Sequence, residues 1–298
     1  MKYNNITIAG SGVLGYQIAF QAAFHGFNVT VYDINDAVLE KAKAKFETMS
    51  AAFKADLNAT QEQLDKTKKN LSYNSNLAEA VKDADLLIEA VPENPKIKIE
   101  FYEKLAKVAP EKTVFATNSS TLLPSQFAEY TGRPAKFLAL HFANTIWLHN
   151  TAEIMGHAGT DPNVFNDVVS FAKEIGMLAL PLHKEQPGYI LNSLLVPLLS
   201  AATDLLVNEV ADAPTIDKTW MKATGAPLGP FGILDVVGVT TAYNINKMTA
   251  ERTKDPLKIK TVAYFKENYI DKNKLGVSTG EGFYKYPNPA YNAPDFLK

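Results

Sequence analysis

His141 and Glu153 are the two residues of this sequence whose types and spacing point most directly to acid–base chemistry. His141 ends the apolar run 137–140, and Glu153 lies twelve positions later within a second apolar run, 152–155. Both runs are predicted to be buried strands. If the two strands are neighbours, the carboxylate can hold one ring nitrogen and fix the tautomer, so that the other nitrogen exchanges a proton. A histidine at a strand end is also often a structural residue, and that alternative stays open.

A glycine-rich segment near the start of the chain indicates a dinucleotide site. Its glycines have the spacing G-x-G-x-x-G, follow the short apolar strand 6–9 and precede a predicted helix. Glycines at these positions allow a tight turn, close approach of the backbone to a pyrophosphate and close helix–strand packing, and the helix start offers N–H groups to phosphates. A glycine-rich turn without a ligand is the alternative. The predicted cofactor contacts in this segment are Gly10, Gly12, Val13, Leu14 and Gly15.

Asp33 closes the next predicted strand, 29–32, and lies 18 residues after Gly15. A carboxylate at this position accepts a hydrogen bond from a ribose 2′-OH and repels a 2′-phosphate. No arginine follows it at positions 34 and 35. The predicted cofactor is therefore NAD rather than NADP.

The composition is that of a globular protein with a full-sized core and excludes several classes of site. Of 298 residues, 46% are hydrophobic and 21% charged, and the net charge is −2, which gives no sign of a nucleic-acid or membrane partner. The absence of cysteine excludes disulfides and thiolate metal sites. No histidine pair has helical metal-site spacing, so no metal is expected. No secretory signal is recognisable, and a cytoplasmic location is expected.

Alternating strands and helices predict an α/β fold. The predicted sheet is Rossmann-type and mainly parallel, with helices on both faces. Ser119 and Ser120 follow one of its strands, so that they should lie at the same edge as His141. Besides the two strands at the start of the chain, the predicted strands are 85–91, 113–116, 136–141 and 152–155.

Two regions depart from this alternation. Residues 36–70 predict a hairpin of two polar helices that breaks near 58–60 and carries seven lysines, which either bind substrate phosphates or form a solvated face. After residue 186, leucines at three- and four-residue steps predict a smaller all-α C-terminal domain. The predicted domains are thus 1–186 and 187–298. Polar residues interrupt the apolar segment 190–207, which we expect to be an amphipathic helix and not a membrane span.

Over nearly its whole length the sequence resembles the 3-hydroxyacyl-CoA dehydrogenase family, most of all its diketoreductase-like branch. Order and spacing of the motifs agree throughout, which is more specific than any one of them. The matching stretches are GSGVLG at 10–15, EAVPENPKIK at 89–98, ATNSST at 116–121, HFANTIWLHNTAE at 141–153, QPGYILNSLLVP at 186–197, GAPLGPFGILDVVG at 225–238 and LGVSTGEGFYKY at 275–286.

The resemblance implies roles for individual residues. His141 would be the general acid–base, Glu153 would orient it, and Ser120 would hydrogen-bond the reacting oxygen or the histidine. Asn144 and Asn192 would place the substrate, and NAD would be the cofactor. The remaining implied cofactor contacts are Glu93, Lys98 and Asn118. Without the family, Glu93 and Lys98 would be interpreted as solvated charges at a helix start, Asn144 as a turn residue and Asn192 as a polar residue on a helix flank. The family also implies a homodimer through the helical domain.

One departure concerns the substrate. Members of the family usually follow the histidine with Phe-Phe-Asn-Pro-Val-Pro, whereas residues 142–147 read Phe-Ala-Asn-Thr-Ile-Trp. The substrate therefore stays open between a 3-hydroxyacyl-CoA, a β-keto or diketo ester or acid not bound to CoA, and a more polar hydroxy acid such as gulonate. A non-catalytic NAD-binding or structural protein is a further alternative from a different class.

Overall fold

The computed structural model describes residues 2–298 and shows one eight-stranded sheet followed by helices. The strand order is β3-β2-β1-β4-β5-β6-β7-β8, and every neighbouring pair is parallel except the antiparallel pair β6 and β7. The predicted α/β class with a mainly parallel sheet is confirmed. The strands are β1 (Asn5–Ala9), β2 (Asn28–Tyr32), β3 (Leu71–Asn74), β4 (Leu86–Glu89), β5 (Val114–Thr117), β6 (Phe137–Phe142), β7 (Thr151–Met155) and β8 (Leu178–Leu182).

Helices begin where short polar side chains satisfy the first backbone N–H groups. Asn35, Thr60 and Asn94 each accept a backbone hydrogen bond in this way. The predicted hairpin of two polar helices is present, and Asn58, in the left-handed conformation, ends its first helix. The helices of this part of the chain are α1 (Gly15–Phe24), α2 (Asp36–Leu57), α3 (Gln61–Lys69), α4 (Leu77–Val81), α5 (Pro95–Val108) and α6 (Pro162–Glu174).

Helices pack against both faces of the sheet. Successive side chains of a strand point to these opposite faces. In β4, Leu86 and Ile88 join the core formed with α1, α2 and α6, while Leu87 joins the core that contains Phe101 and Leu105 of α5. The apolar residues of all-buried strands thus divide between two hydrophobic cores. Polar functional side chains are therefore expected at the edge of the sheet where the strands end.

The chain divides into two compact units, one that ends at Ile190 and one that comprises Leu191–Lys298. Apart from short helical turns, the second unit is built from the longer helices that follow β8, in agreement with the predicted all-α C-terminal part. These helices are α7 (Tyr189–Val207), whose first two residues belong to the first unit, α8 (Ala213–Thr224), α9 (Pro230–Val237), α10 (Val239–Thr253) and α11 (Pro256–Phe265).

Two buried carboxylates organise the second unit. Asp217 accepts hydrogen bonds from the backbone of Phe231 and Gly232 at the start of α9 and from the hydroxyl of Tyr284. Asp235 of α9 accepts from the backbone N–H groups of the C-terminal segment at 283 and 284. Because a buried donor without a partner costs about 1–3 kcal/mol, these bonds fix the C-terminal segment against α9.

Among the described helices, α7 alone is long and apolar enough to cross a membrane, with a mean hydropathy of 1.8 and 22% of its apolar window buried. A single helix of this kind is a weak indication, because the core helices of soluble proteins meet the same criterion.

Candidate active site

The glycine loop lies between β1 and α1, next to the point where the strand order reverses between β1 and β4. Gly10 has φ +99°, and a Cβ atom there would lie 2.5 Å from the carbonyl oxygen of Ala90. A Cβ on Gly15 would lie 1.8 Å from the carbonyl oxygen of Gly10, whereas one on Gly12 would meet no described atom within 4 Å. Gly10 and Gly15 are thus required by packing, while the backbone of Gly12 borders open space in the crevice where such sheets bind ligands.

The first turn of α1 suits a phosphate. Among the described residues, no side chain caps this helix at Leu14, and its first turn contains no acidic residue. The positive end of the helix dipole and the N–H groups of the first turn therefore face no competing carboxylate from this turn. With the exposed backbone at Gly12, this arrangement fits the pyrophosphate of a dinucleotide.

Asp33 follows β2 and connects it to the glycine loop. Its Oδ2 atom accepts hydrogen bonds from the backbone N–H of Ser11 at 2.7 Å and from the Ser11 hydroxyl at 2.6 Å, and its Oδ1 atom accepts from the N–H of Ile34 at 2.8 Å. A carboxylate offers about four acceptor positions, so capacity remains for a ribose hydroxyl. The same bonds show that Asp33 also holds the loop in place.

His141 and Glu153 face each other directly across the antiparallel pair β6 and β7. The two strands are neighbours, as contact between these two residues requires. Nδ1 of His141 lies 3.0 Å from Oε2 of Glu153, and Oε1 of Glu153 accepts a hydrogen bond from the backbone N–H of Ile190 at 2.9 Å. On the other side of the ring, Nε2 of His141 lies 3.2 Å from the hydroxyl oxygen of Ser120. The histidine and glutamate are only 5% and 3% exposed, so that their mutual contact is sheltered from water.

Glu93 fixes the turn that carries Ser120. Its Oε1 atom accepts hydrogen bonds from the hydroxyls of Ser119 and Thr121 and from the backbone N–H groups of Ser120 and Thr121. Burial raises the pKa of Glu93, but these hydrogen bonds and the charge of Lys98 outweigh burial, so its pKa lies below the ordinary value. Glu93 therefore stays ionised and keeps the turn in one conformation.

Lys98 is 1% exposed, so its interpretation as a solvated charge at a helix start is wrong. Its ammonium group lies 2.7 Å from Oε1 of Glu89 and 3.3 Å from Oε2 of Glu93. Glu89 is itself fully buried and also accepts hydrogen bonds from the hydroxyls of Tyr102 and Thr117. The charges compensate one another, which a buried ion pair requires. That Glu93 and Lys98 contact the cofactor stays a prediction.

The three asparagines named from the sequence lie in different surroundings. Asn118 is buried and accepts a hydrogen bond from the backbone N–H of Phe142 through Oδ1 at 3.0 Å, which joins the ends of β5 and β6. Asn144 is exposed and accepts from Nε2 of Gln17 at 2.7 Å. Asn192 is half-buried and belongs to the second unit, on α7. Their roles toward cofactor and substrate stay predictions.

The loop after His141 is held by two helices of the first unit. Gln17 of α1 accepts hydrogen bonds from the backbone of Thr145 and Ile146, and Thr145 has φ +60°. Nε1 of Trp147 donates to Oδ2 of Asp56 on α2 at 2.8 Å, and its ring lies 5.7 Å from that of Phe53. The sequence that replaces the usual prolines is therefore an ordered, hydrogen-bonded loop.

Sequence reasoning did not identify Glu89, Tyr102 or Tyr189 as part of this region. The sequence did contain a signal for Glu89, because an acid that ends a strongly apolar strand is expected to be buried together with that strand. Tyr102 and Tyr189 had none, because an aromatic residue on a helix is most often simply part of the core.

A mainly parallel sheet with a glycine loop at its reversal point, an acid after the second strand and a buried histidine–glutamate pair is typical of a dinucleotide-dependent oxidoreductase. Residues 5–186 match the model of the 3-hydroxyacyl-CoA dehydrogenase NAD binding domain, and residues 188–286 match that of the C-terminal domain. The chain belongs to the 3-hydroxyacyl-CoA dehydrogenase family, and its cofactor is NAD.

Individual relatives agree with this assignment. The chain is 34% identical to the human mitochondrial hydroxyacyl-coenzyme A dehydrogenase over 288 residues, which cover 95% of this chain and 91% of that protein. It is 28% identical to a probable 3-hydroxybutyryl-CoA dehydrogenase of Bacillus subtilis, with 96% and 98% covered. A solved structure described as "Substrate-directed dual catalysis of dicarbonyl compounds by diketoreductase" is 56% identical, with a TM-score of 0.91 and 96% and 100% covered.

Replacing Asp33 by Ala should weaken NADH binding about tenfold, because a hydrogen bond to a charged group is lost. NADPH binding should fall less, since the same change removes a charge that repels the 2′-phosphate. Dissociation constants from NADH and NADPH fluorescence titrations measure both effects.

Ser11→Ala is the matched control, because it removes one bond that holds Asp33 but leaves the carboxylate. The control should retain the preference for NADH. Equal losses for the two nucleotides in Asp33→Ala would show that Asp33 acts only through the structure of the loop.

Proposed function

We propose that the protein interconverts 3-hydroxy and 3-keto groups with NAD(H), with His141 as the acid–base and Glu153 as the residue that orients it. The observation that carries this proposal is the chain of contacts from Glu153 to Nδ1 of His141 and from Nε2 to the hydroxyl of Ser120. Because Nδ1 faces the carboxylate, Nε2 is the nitrogen left to exchange a proton with a substrate oxygen.

NAD(H), when bound at the glycine loop, would supply the hydride for reduction and accept it in oxidation. During reduction, Nε2 of protonated His141 gives its proton to the oxygen of the former carbonyl group. During oxidation, neutral His141 takes the hydroxyl proton, and the negative charge of Glu153 stabilises the resulting imidazolium. The hydroxyl of Ser120, next to Nε2, hydrogen-bonds the same oxygen and keeps it in line with the ring.

Replacing His141 by Ala should lower kcat by about 10²- to 10⁴-fold, the usual effect of losing an acid–base group. NADH binding should be unchanged, because the glycine loop and Asp33 are untouched. Absorbance of NADH during turnover and a fluorescence titration of NADH binding give the two quantities.

His157→Ala is the matched control, since its ring bonds the carbonyl oxygen of Pro134 and the N–H of Gly159 and takes no part in the pair. This variant should keep its turnover. Near-normal turnover in His141→Ala would refute the proposed mechanism.

For the substrate, we propose a β-keto or β,δ-diketo ester or acid that is not bound to CoA. Two lysines of the helical hairpin are already paired with carboxylates, Lys43 with Glu40 and Lys68 with Glu47, and are therefore not free to hold phosphates. In addition, Trp147 and Asp56 connect the loop after His141 to α2, so an acid lies where this loop meets the hairpin. The 56% identity to a structure described as acting on dicarbonyl compounds supports the same substrate class.

A 3-hydroxyacyl-CoA is the second candidate, favoured by the names of the curated relatives at 34% and 28% identity. The two candidates differ in whether binding energy comes from the nucleotide of CoA. Only the thioester would need cations for its phosphates.

Acetoacetyl-CoA and ethyl acetoacetate, compared side by side, separate these candidates. We expect kcat/KM for the plain ester to equal or exceed that for the thioester. A preference for the thioester of about 100-fold or more, equivalent to nearly 3 kcal/mol, would mean that the CoA moiety is bound and would replace this proposal with the second candidate.

We further propose that the protein is a homodimer through the helical second unit. Several large apolar side chains of α7 are exposed, among them Leu191, Leu194 and Leu205, and exposed apolar surface is a common mark of a protein–protein contact. Light scattering after size-exclusion chromatography should give twice the mass of the chain, and Leu194→Glu, which charges the most exposed of these leucines, should give the monomer mass. A monomer for the unaltered protein, or binding of this helix to lipid vesicles, would contradict the proposal.

A further inference from the structure

Tyr189 lies against the histidine although nothing in the sequence marks it as functional. It is the first residue of α7 and the last but one of the first unit. Its side chain is 1% exposed, and its ring stacks on the imidazole of His141 with 4.5 Å between the centroids and 20° between the planes. The ring therefore covers one face of the imidazole and restricts its tilt.

The same residue also reaches the turn that carries the serine. The hydroxyl of Tyr189 donates a hydrogen bond to the backbone carbonyl of Ser119 at 2.7 Å. The next backbone N–H, that of Ile190, donates to Oε1 of Glu153. Two consecutive residues thus touch the ring of His141, the carboxylate of Glu153 and the turn before Ser120.

The backbone of Tyr189 is held in an unusual conformation to make these contacts. Its φ is +55°, directly after Gly188 at +79°, so two consecutive residues have positive φ. A bulky residue rarely adopts this region and retains it only where its surroundings impose it. Here the surroundings are the stacked imidazole and the accepting carbonyl of Ser119, which together fix the ring.

The hydroxyl of Tyr189 is not itself a suitable acid. Burial, followed by the nearby carboxylates of Glu93, Glu153 and Glu89, raises its pKa above the ordinary value of a tyrosine. The hydroxyl consequently stays protonated and acts as a fixed donor to Ser119. What Tyr189 contributes is position, through its ring and this one hydrogen bond.

We propose that Tyr189 is a positioning residue for the acid–base pair, holding the imidazole of His141 in the plane that directs Nδ1 to Glu153 and Nε2 to the reacting oxygen. This inference rests on the proposed function. The ring of Tyr189 is therefore expected to affect the rate of the chemical step, through the position of His141, and not the binding of substrate or cofactor.

The test compares Tyr189→Leu, which removes the stacked ring, with Tyr189→Phe, which keeps the ring and loses the hydrogen bond. Tyr189→Leu should lower kcat about 10- to 100-fold, because small misplacements of a catalytic group have effects of this size. The KM for ethyl acetoacetate and the affinity for NADH should change less than about threefold. Tyr189→Phe should recover most of the lost kcat, since the stack is retained.

Phe171→Leu is the matched control for loss of a buried aromatic ring. Phe171 is buried in the core of the first unit, where it packs against Phe27, and is not part of the site. The control should lower the thermal midpoint and leave kcat unchanged. A fall in kcat of the control equal to that of Tyr189→Leu would mean that general loosening of the unit is responsible, and would overturn the inference.

His141→Ala, measured in parallel, distinguishes failure of this inference from failure of the proposed function. Normal kcat in Tyr189→Leu together with an inactive His141→Ala would overturn the role of Tyr189 and leave the proposed mechanism intact. Normal turnover in His141→Ala would remove the mechanism itself. Losses confined to KM or to NADH affinity in Tyr189→Leu would also overturn the inference, since they indicate a binding role.

Discussion

The antiparallel pairing of β6 with β7 is the constraint on which the rest of the site depends. In an otherwise parallel sheet, the chain reverses after His141 and returns through a short loop, so that Glu153 lies directly opposite the histidine. Side chains opposite one another in such a pair share a face and lie within hydrogen-bonding reach. A crossover to a parallel strand would have needed a dozen or more residues and a helix. The reversal of the chain brings His141 and Glu153 together although only twelve positions separate them in the sequence.

Because His141 and Glu153 are buried, their polar atoms need partners within the protein, and the surrounding groups supply them. A polar group taken out of water costs free energy unless its hydrogen bonds are replaced. The remaining oxygen of Glu153 receives the N–H of Ile190, and the free face of the imidazole receives the ring of Tyr189. A second buried ion pair lies nearby, in which the ammonium of Lys98 compensates the charge of Glu89. The same ammonium also contacts the carboxylate of Glu93. The site therefore consists of two clusters of hydrogen-bonded, mostly buried polar side chains, joined by the short turn at 119–121.

Much of the fold could be predicted because its signals are local. The glycine loop, the acid at position 33 and the break of the hairpin near Asn58 depend on turn chemistry and periodicity that a single segment displays. The strand β3 escaped prediction, because Leu71–Asn74 is four residues long and mostly polar at its end. The approach of His141 to Glu153 could be stated only as a condition, since strand order is a property of the whole sheet. The contacts of Tyr189 could not be inferred at all, because they arise from a backbone conformation that tyrosine does not favour and that distant residues impose.

The glycine loop and the loop after His141 are held in place by different means. Gly10 and Gly15 have no room for a side chain, so any member of the family with this packing must keep them. The loop at 142–147 is held instead by hydrogen bonds to the side chains of Gln17 and Asp56. A change at either of these side chains would act on this loop without touching Gly10, Gly15 or the contact of His141 with Glu153.

The start of α7 has a consequence for how the two halves of this protein can be separated. The match to the NAD binding domain ends at residue 186, yet the residues that contact His141 and Glu153 extend to Ile190. A fragment cut at 186 would keep the glycine loop, the acid after β2 and the pair itself, but would lose the cover of the imidazole and one ligand of the carboxylate. Recombination of such domains between relatives at residue 186 would accordingly exchange the residues that contact His141 and Glu153 along with the helices, because the first compact unit ends at Ile190 and not at residue 186.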